Sequence, residues 1–188
     1  MLTTARLILR QWRDDDLPQL AALNSDPEVM RFFAEPLSRQ KSDTYAERIR
    51  RHIEEHGWGL WAVEVRELAP FIGFVGLSAP AFEAHFTPCI EVGWRLAKAF
   101  LGMGYATEAA RVVLAHGFGS LTLREIVSYT YTENLRSRAV MERLGMTHNP
   151  ADDFEYPRLD KDHPLRHQAL YRITTANQAV VEKTAEGS

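Results

Sequence analysis

The chain has one cysteine, Cys89, in 188 residues, so it can form neither an internal disulfide nor a thiol pair for a metal. That scarcity suits a reducing compartment, and a cytoplasmic protein is expected. Charge of one sign is also lacking. With 22 Lys+Arg against 25 Asp+Glu, the net charge is −3 and the pI about 6.2, without the basic field that nucleic-acid binders use. No apolar run approaches the ~18–20 residues that span a bilayer, so no membrane partner is expected. The stretch Met1–Arg10 lacks both an uninterrupted apolar core and a small-residue cleavage site, and it reads as a strand, not a signal peptide. The seven histidines show neither H-x-H nor HExxH spacing, so no metal is expected.

What is present is average for a globular domain: 45% hydrophobic and 25% charged residues. There is no internal repeat and no linker to split the chain. One domain over residues 1–174 is expected, with a small, polar, frayed tail over 175–188.

Leu7 and Leu9 mark a first strand over residues 6–11. The acidic run Asp14-Asp15-Asp16 precedes an apolar helical pattern and is expected to cap it. Asp26-Pro27-Glu28 opens a further short helical piece through Val29, Met30 and Phe33. Ser38 is positioned to cap a longer helix, with Tyr45, Ile49 and Ile53 on one face and an end near Gly57.

The period then changes to two. Trp61, Val63 and Val65 form a strand that pairs in an antiparallel hairpin with residues 71–77. A loop over 79–88 leads to a strand carrying Ile90, Val92 and Trp94. Residues 105–118 form a helix with a small-residue face (Ala106, Ala109, Ala110, Val113, Gly117). A strand over 125–131, a helix over 134–144 ending at Gly145, a polar loop over 150–167 and a last strand over 168–174 complete an α/β chain with a mixed sheet.

The informative stretch runs from Cys89-Ile90-Glu91-Val92-Gly93-Trp94-Arg95-Leu96 into Leu101-Gly102-Met103-Gly104-Tyr105-Ala106-Thr107-Glu108. A strand leads through two glycines into a helix. Glycines let backbone N–H groups approach an anion, and a helix N-terminus directs unpaired donors at it. Two glycines before a helix serve plain turn chemistry equally well. A P-loop would need Gly-Lys-Ser/Thr where Gly104 is followed by Tyr105. A dinucleotide fingerprint would want Gly or Ala at position 107, on the first unit of a parallel sheet. A protein kinase would be longer and would carry a catalytic-loop motif. A phosphorylated ligand bound without Lys or Mg²⁺ fits best.

Gly102-Met103-Gly104-Tyr105-Ala106-Thr107-Glu108-Ala109 resembles the acyl-CoA motif of the GNAT superfamily of N-acyltransferases, in particular its RimJ/RimL-type branch. That branch includes ribosomal-protein N-terminal acetyltransferases. Asn134-Leu135-Arg136-Ser137 through Leu144-Gly145-Met146 resembles the branch's second motif. So do Thr4–Arg10, Asp26–Met30 and Ala169–Ile173 their counterparts, in order, so the likeness covers residues 3–174. The wider family often has Gln or Arg three residues before the first glycine, where this chain has Ala99. One pyrophosphate contact fewer is the implication.

The resemblance implies a GNAT fold, a mixed and mostly antiparallel central sheet flanked by helices. It implies acetyl-CoA as co-substrate and an amine acceptor, a protein N-terminus or a small molecule. A homodimer is compatible with it. The backbone of Trp94, Arg95 and Leu96 would pair with the pantetheine arm as an added strand. Leu101, Gly102, Met103, Gly104, Tyr105, Ala106 and Thr107 would hold the pyrophosphate. Asn134 would contact pantetheine while capping its helix. Glu91 would be the base and Ser137 would hydrogen-bond the departing thiolate, although each also fits an ordinary exposed position. Trp12, Trp58, Trp61, Phe32 and Phe33 are candidates for an acceptor cleft or for core. Polyamine or aminoglycoside acetylation, and a non-catalytic acyl-CoA sensor, are the competing functions.

Overall fold

The structure, a computed structural model, describes residues 1–176; the tail expected to fray lies almost wholly outside the described residues. Contacts divide the chain into two compact units. One holds Met1–Ser78 and Gly93–Val113, and the other Ala79–Val92 and the described chain from Leu114 to residue 176. Among the described residues the strands form a mixed, mostly antiparallel sheet accompanied by four α-helices.

In the first unit, β1 (Leu2–Thr3), β2 (Leu7–Arg10), β3 (Leu60–Val65) and β4 (Ala69–Ser78) pair antiparallel in that order. β4 then neighbours β5 (Glu91–Leu96), the strand that passes from one unit into the other. Gly73 makes that neighbour fit. A Cβ there would stand 2.1 Å from the Arg95 carbonyl oxygen, so only glycine lets β4 come this near. Leu7, Leu9, Val63, Ile72 and Val75 are fully buried along these strands. Trp12 and Trp61 join them at 3% exposure and are core, not cleft; the Trp12 indole N–H is satisfied by the Leu60 carbonyl at 2.8 Å.

α1 (Asp16–Ser25) and α2 (Arg39–His56) belong to the same unit. α2 starts as its sequence requires, with Ser38 accepting from Lys41 N, and buries Ala46, Ile49 and Ile53. The acidic run behaves differently from expectation. Asp15 stands at the N-cap of α1 without a side-chain cap bond. Asp16, 2% exposed, instead grips the buried Arg10 guanidinium with both oxygens at 2.7 and 2.9 Å. Arg10 Nε also donates to Glu64 at 2.9 Å. A buried cation must be paired, and that demand takes the carboxylate away from capping.

The helical piece expected from Asp26 is a series of turns. Asp26 Oδ1 accepts from Glu28 N at 2.8 Å, and within residues 26–33 only Met30 is buried. One apolar anchor does not make a helical stripe.

In the second unit, β5 pairs in parallel with β6 (Glu125–Tyr131) at Glu91↔Val127. β6 pairs antiparallel with β9 (His167–Thr174) at seven positions. The expected polar loop over 150–167 contains β8 (Phe154–Glu155), which pairs with β9, as does β7 (Thr147–His148). Phe154 draws the segment inward. It packs with Phe86 (centroids 4.8 Å), Tyr129 (5.4 Å) and Phe82 (6.1 Å). α3 (Tyr105–Gly119) begins in the first unit and ends in the second, and α4 (Leu135–Arg143) lies in the second.

Candidate active site

After β5 the chain makes a single 3₁₀ turn, Lys98–Phe100, and reaches Leu101 in an extended conformation. Gly102 and Gly104 then take φ of +78° and +80°, the left-handed region that L side chains rarely adopt. Neither glycine is packed against anything that would demand its size. A Cβ at Gly102 would meet nothing within 4 Å, and one at Gly104 only Arg6 Nη2 at 3.5 Å. The left-handed backbone is therefore the reason for both residues, and the space beside them is open.

The first hydrogen bond of α3 runs from Glu108 N to Gly104 O at 3.0 Å. The amides of Tyr105, Ala106 and Thr107 precede it and have no acceptor within the helix. These donors, at the positive end of a helix of 15 residues, suit an anion. Tyr105 and Thr107 are buried, whereas Gly102, Met103 and Gly104 are exposed.

Sequence reasoning missed the support beneath this cradle. Glu108 puts a carboxylate one turn into α3, where it would repel a phosphate. It is instead neutralised from β1–β2: Thr4 Oγ1 donates at 2.5 Å, Arg6 N at 3.1 Å and Arg6 Nε at 2.7 Å. Burial pushes the Glu108 carboxyl up, but these hydrogen bonds outweigh it and hold the group below the usual glutamate range. Arg6 Nη1 also donates to the Met103 carbonyl at 3.2 Å, and its guanidinium stands 4.5 Å from the Tyr105 ring centroid. Arg6 thus fixes the middle of the glycine turn. The residues involved lie about a hundred positions apart, so no local pattern exposes them.

Trp94, Arg95 and Leu96 lie on β5 in the same unit as the cradle. Glu91, Asn134 and Ser137 lie in the other unit. Asn134 caps α4 through Oδ1, which accepts from Ser137 N at 3.3 Å. Its Nδ2 donates to Thr130 Oγ1 at 2.8 Å and to Ser137 Oγ at 3.1 Å. With a lone pair of Ser137 Oγ occupied in this way, the hydroxyl proton is directed away from Asn134. α4 is tied down by Arg138, which donates to Tyr171 Oη at 3.1 Å and to Thr132 O at 2.9 Å.

Glu91 accepts a hydrogen bond from the Tyr129 hydroxyl. The parallel register explains it: Glu91 opposes Val127, and Tyr129 follows on the same face two residues on. Burial, reinforced by the Glu91 charge, keeps the Tyr129 phenol protonated far above its ordinary range, so it stays a donor. Burial and the same carboxylate push the Cys89 thiol up to about 11, which leaves it inert as a nucleophile at neutral pH. Phe82, Phe86, Phe154 and Tyr156 complete an apolar surround for Tyr129.

Among the described residues, a mostly antiparallel sheet with the parallel pair β5–β6 and a glycine-bracketed helix N-terminus make an α/β domain with an anion-binding turn. Residues 6–147 match the acetyltransferase (GNAT) domain family, and the chain belongs to that family. It is an acetyl-CoA-dependent N-acetyltransferase. Among curated relatives it is similar to the FsC-acetyl coenzyme A-N(2)-transacetylase of Aspergillus fumigatus, 33% identical over 162 residues, covering 78% of this chain and 65% of that one. Among solved structures it resembles Mycobacterium smegmatis RimJ in complex with CoA-disulfide (TM-score 0.72, 21% identity, 96% of this chain and 89% of that chain). It also resembles spermidine N-acetyltransferase from Vibrio cholerae in complex with CoA and spermine (TM-score 0.72, 20% identity, 94% and 99%).

Proposed function

We propose that residues 1–174 act as one transferase domain of the RimJ/RimL-type branch, moving an acetyl group from acetyl-CoA to an α-amine. The acceptor is a protein or peptide N-terminus or a small amino compound, and the single cysteine accords with work in the cytoplasm. The observation that carries the reading is the cradle. Two glycines at positive φ and the open amides of Tyr105, Ala106 and Thr107 suit a pyrophosphate and need no metal or lysine to do so.

Acetyl-CoA supplies an acyl carbon activated by a thioester. Leu101 to Thr107 hold its phosphates through backbone N–H groups, and the backbone of Trp94, Arg95 and Leu96 takes the pantetheine amides as a neighbouring strand would. A β5 N–H polarises the carbonyl under attack. Glu91, oriented by Tyr129, takes the proton that the attacking amine must lose. Ser137, with Asn134 bonded to its oxygen, donates its hydroxyl proton toward the leaving sulfur.

The test is release of free thiol from acetyl-CoA, followed with and without α-amino peptides. Amine-dependent release is expected. Tight acetyl-CoA binding with no release for any amine would make the chain a sensor instead.

A further inference from the structure

Two arginines leave the solvent in contrasting ways, Arg10 buried and Arg95 half-buried. Arg10 is compensated by Asp16, Glu64 and the Pro70 carbonyl. Arg95, on β5, has no carboxylate within ion-pair distance among the described residues. Its Nη1 donates to Asn24 Oδ1 at 2.5 Å, and its Nε is sealed from solvent without an acceptor. The rest of its environment is aromatic. The guanidinium carbon stands 4.1 Å from the ring centroid of Phe33, 5.3 Å from Phe74 and 5.9 Å from Tyr45.

An arginine does not shed its proton to escape such a setting. Burial lowers its pKa, yet among the described residues ring quadrupoles and one neutral amide oxygen are what balance the charge. The position is built and held. Asn24 is fully buried, and its Nδ2 donates to the equally buried Ser42 Oγ at 2.9 Å, which aims Oδ1 at Arg95. It is also reachable. Arg95 retains part of its surface, Nη2 has no partner among the described residues, and the Phe33 ring over it is 41% exposed. Phe33, a candidate for an acceptor cleft, lies between α1 and α2.

We propose that Arg95 is a specificity-determining residue that anchors a carboxylate on the acceptor, so that the acetylated amine belongs to an amino-carboxylate and not to a polyamine. The inference rests on the transferase reading above. The backbone of Arg95 belongs to the strand assigned to pantetheine, while its side chain leaves that strand for the α1–α2 region and places the carboxylate there. The planar fork of the guanidinium suits two carboxylate oxygens, and the aromatic walls exclude the water that would weaken the pair.

Two measurements test it. In ¹⁵N-labelled wild-type protein, the sealed Arg95 Nε–H, assigned through its proximity to the Phe74 ring, is followed while phenylacetate or phenylacetamide is titrated. A saturable shift with the carboxylate and none with the amide is expected; equal responses, or none, would overturn the anchor. Acetylation of the dipeptide Gly-Phe is then compared with that of its C-terminal amide, whose α-amine is chemically alike. Wild type is expected to favour the free carboxylate by about 10–100-fold in kcat/KM, the range of one charged hydrogen-bonded contact. Arg95→Gln should bring that ratio to near one, and Arg95→Lys should restore part of it. A ratio near one in wild type, or one unchanged in Arg95→Gln, refutes the anchor while leaving the transferase intact. Acetylation of no amine refutes the transferase, and the titration still decides the anchor.

Discussion

Replacing Gly104 by valine separates the cradle from ordinary turn chemistry. The φ of +80° costs an L residue about 1–2 kcal/mol, and a β-branched one is at the upper end. The added atoms have room, since the nearest neighbour of a Cβ is Arg6 Nη2 at 3.5 Å, so the penalty is backbone strain and not collision. Relief of that strain is expected to turn the Tyr105 N–H away from the phosphate, with the methyl groups in the open space beside the turn. Loss of one charge-assisted hydrogen bond to phosphate costs about 1.5 kcal/mol. Acetyl-CoA affinity should therefore fall tenfold or more. Gly57, the C-cap of α2 at φ +76° with nothing within 4 Å of its would-be Cβ, is the control. Gly57→Ala carries similar strain away from the cradle, so it should lower the unfolding temperature and leave acetyl-CoA affinity unchanged. Calorimetric titration together with thermal unfolding reads both quantities. A folded Gly104→Val protein with wild-type affinity would refute the cradle, and equal affinity losses in the two variants would refute its locality.

Glu91→Gln should lower turnover by about a hundredfold, the low end of general-base effects, with acetyl-CoA affinity within about twofold in calorimetry. Ser137→Ala should lower turnover by about 10–100-fold, because a water can stand in for the hydroxyl, and single-turnover kinetics should place the loss in the chemical step. Glu108→Gln should destabilise the protein at pH 7 by about 1 kcal/mol, a figure discounted for the partly exposed Arg6. The sign follows from the lowered Glu108 pKa. The stabilisation is present above the unfolded value of about 4.3 and is lost as pH falls through the folded one, so denaturant curves of wild type and variant should converge in acid.

What the sequence shows and what it hides divide along physical lines. The glycine turn was legible because positive φ is a local demand that glycine meets best, and Ser38 and Asn134 because capping reaches only three residues. The hairpin of β3 and β4 followed from period-two alternation. By contrast, Arg6 pairs with Glu108 across 102 positions and Arg95 with Asn24 across 71, which no spacing announces. The role of Asp16 was misread because its position fits a cap, while the buried Arg10 has the stronger claim on it. β7 and β8, at two residues each, are too short for any period to register, and the register of β9 defines them. Tyr129 could have been found by assuming that β5 and β6 run parallel and counting two residues on from the partner of Glu91.

The most direct test of the central claim is product analysis by mass spectrometry after incubation with acetyl-CoA and an equimolar mixture of acceptors. The mixture contains α-amino peptides, Nα-blocked lysine peptides, polyamines and aminoglycosides. Deprotonating an α-amine of pKa about 7.7–8.0 near neutral pH costs roughly 1 kcal/mol, against roughly 4–5 kcal/mol for lysine at about 10.4. A single carboxylate base such as Glu91 suits the easier task. Acetyl groups on the α-amines of the unblocked peptides are the predicted result. Acetylation confined to the blocked lysine peptides, or to the polyamines and aminoglycosides, would contradict the account.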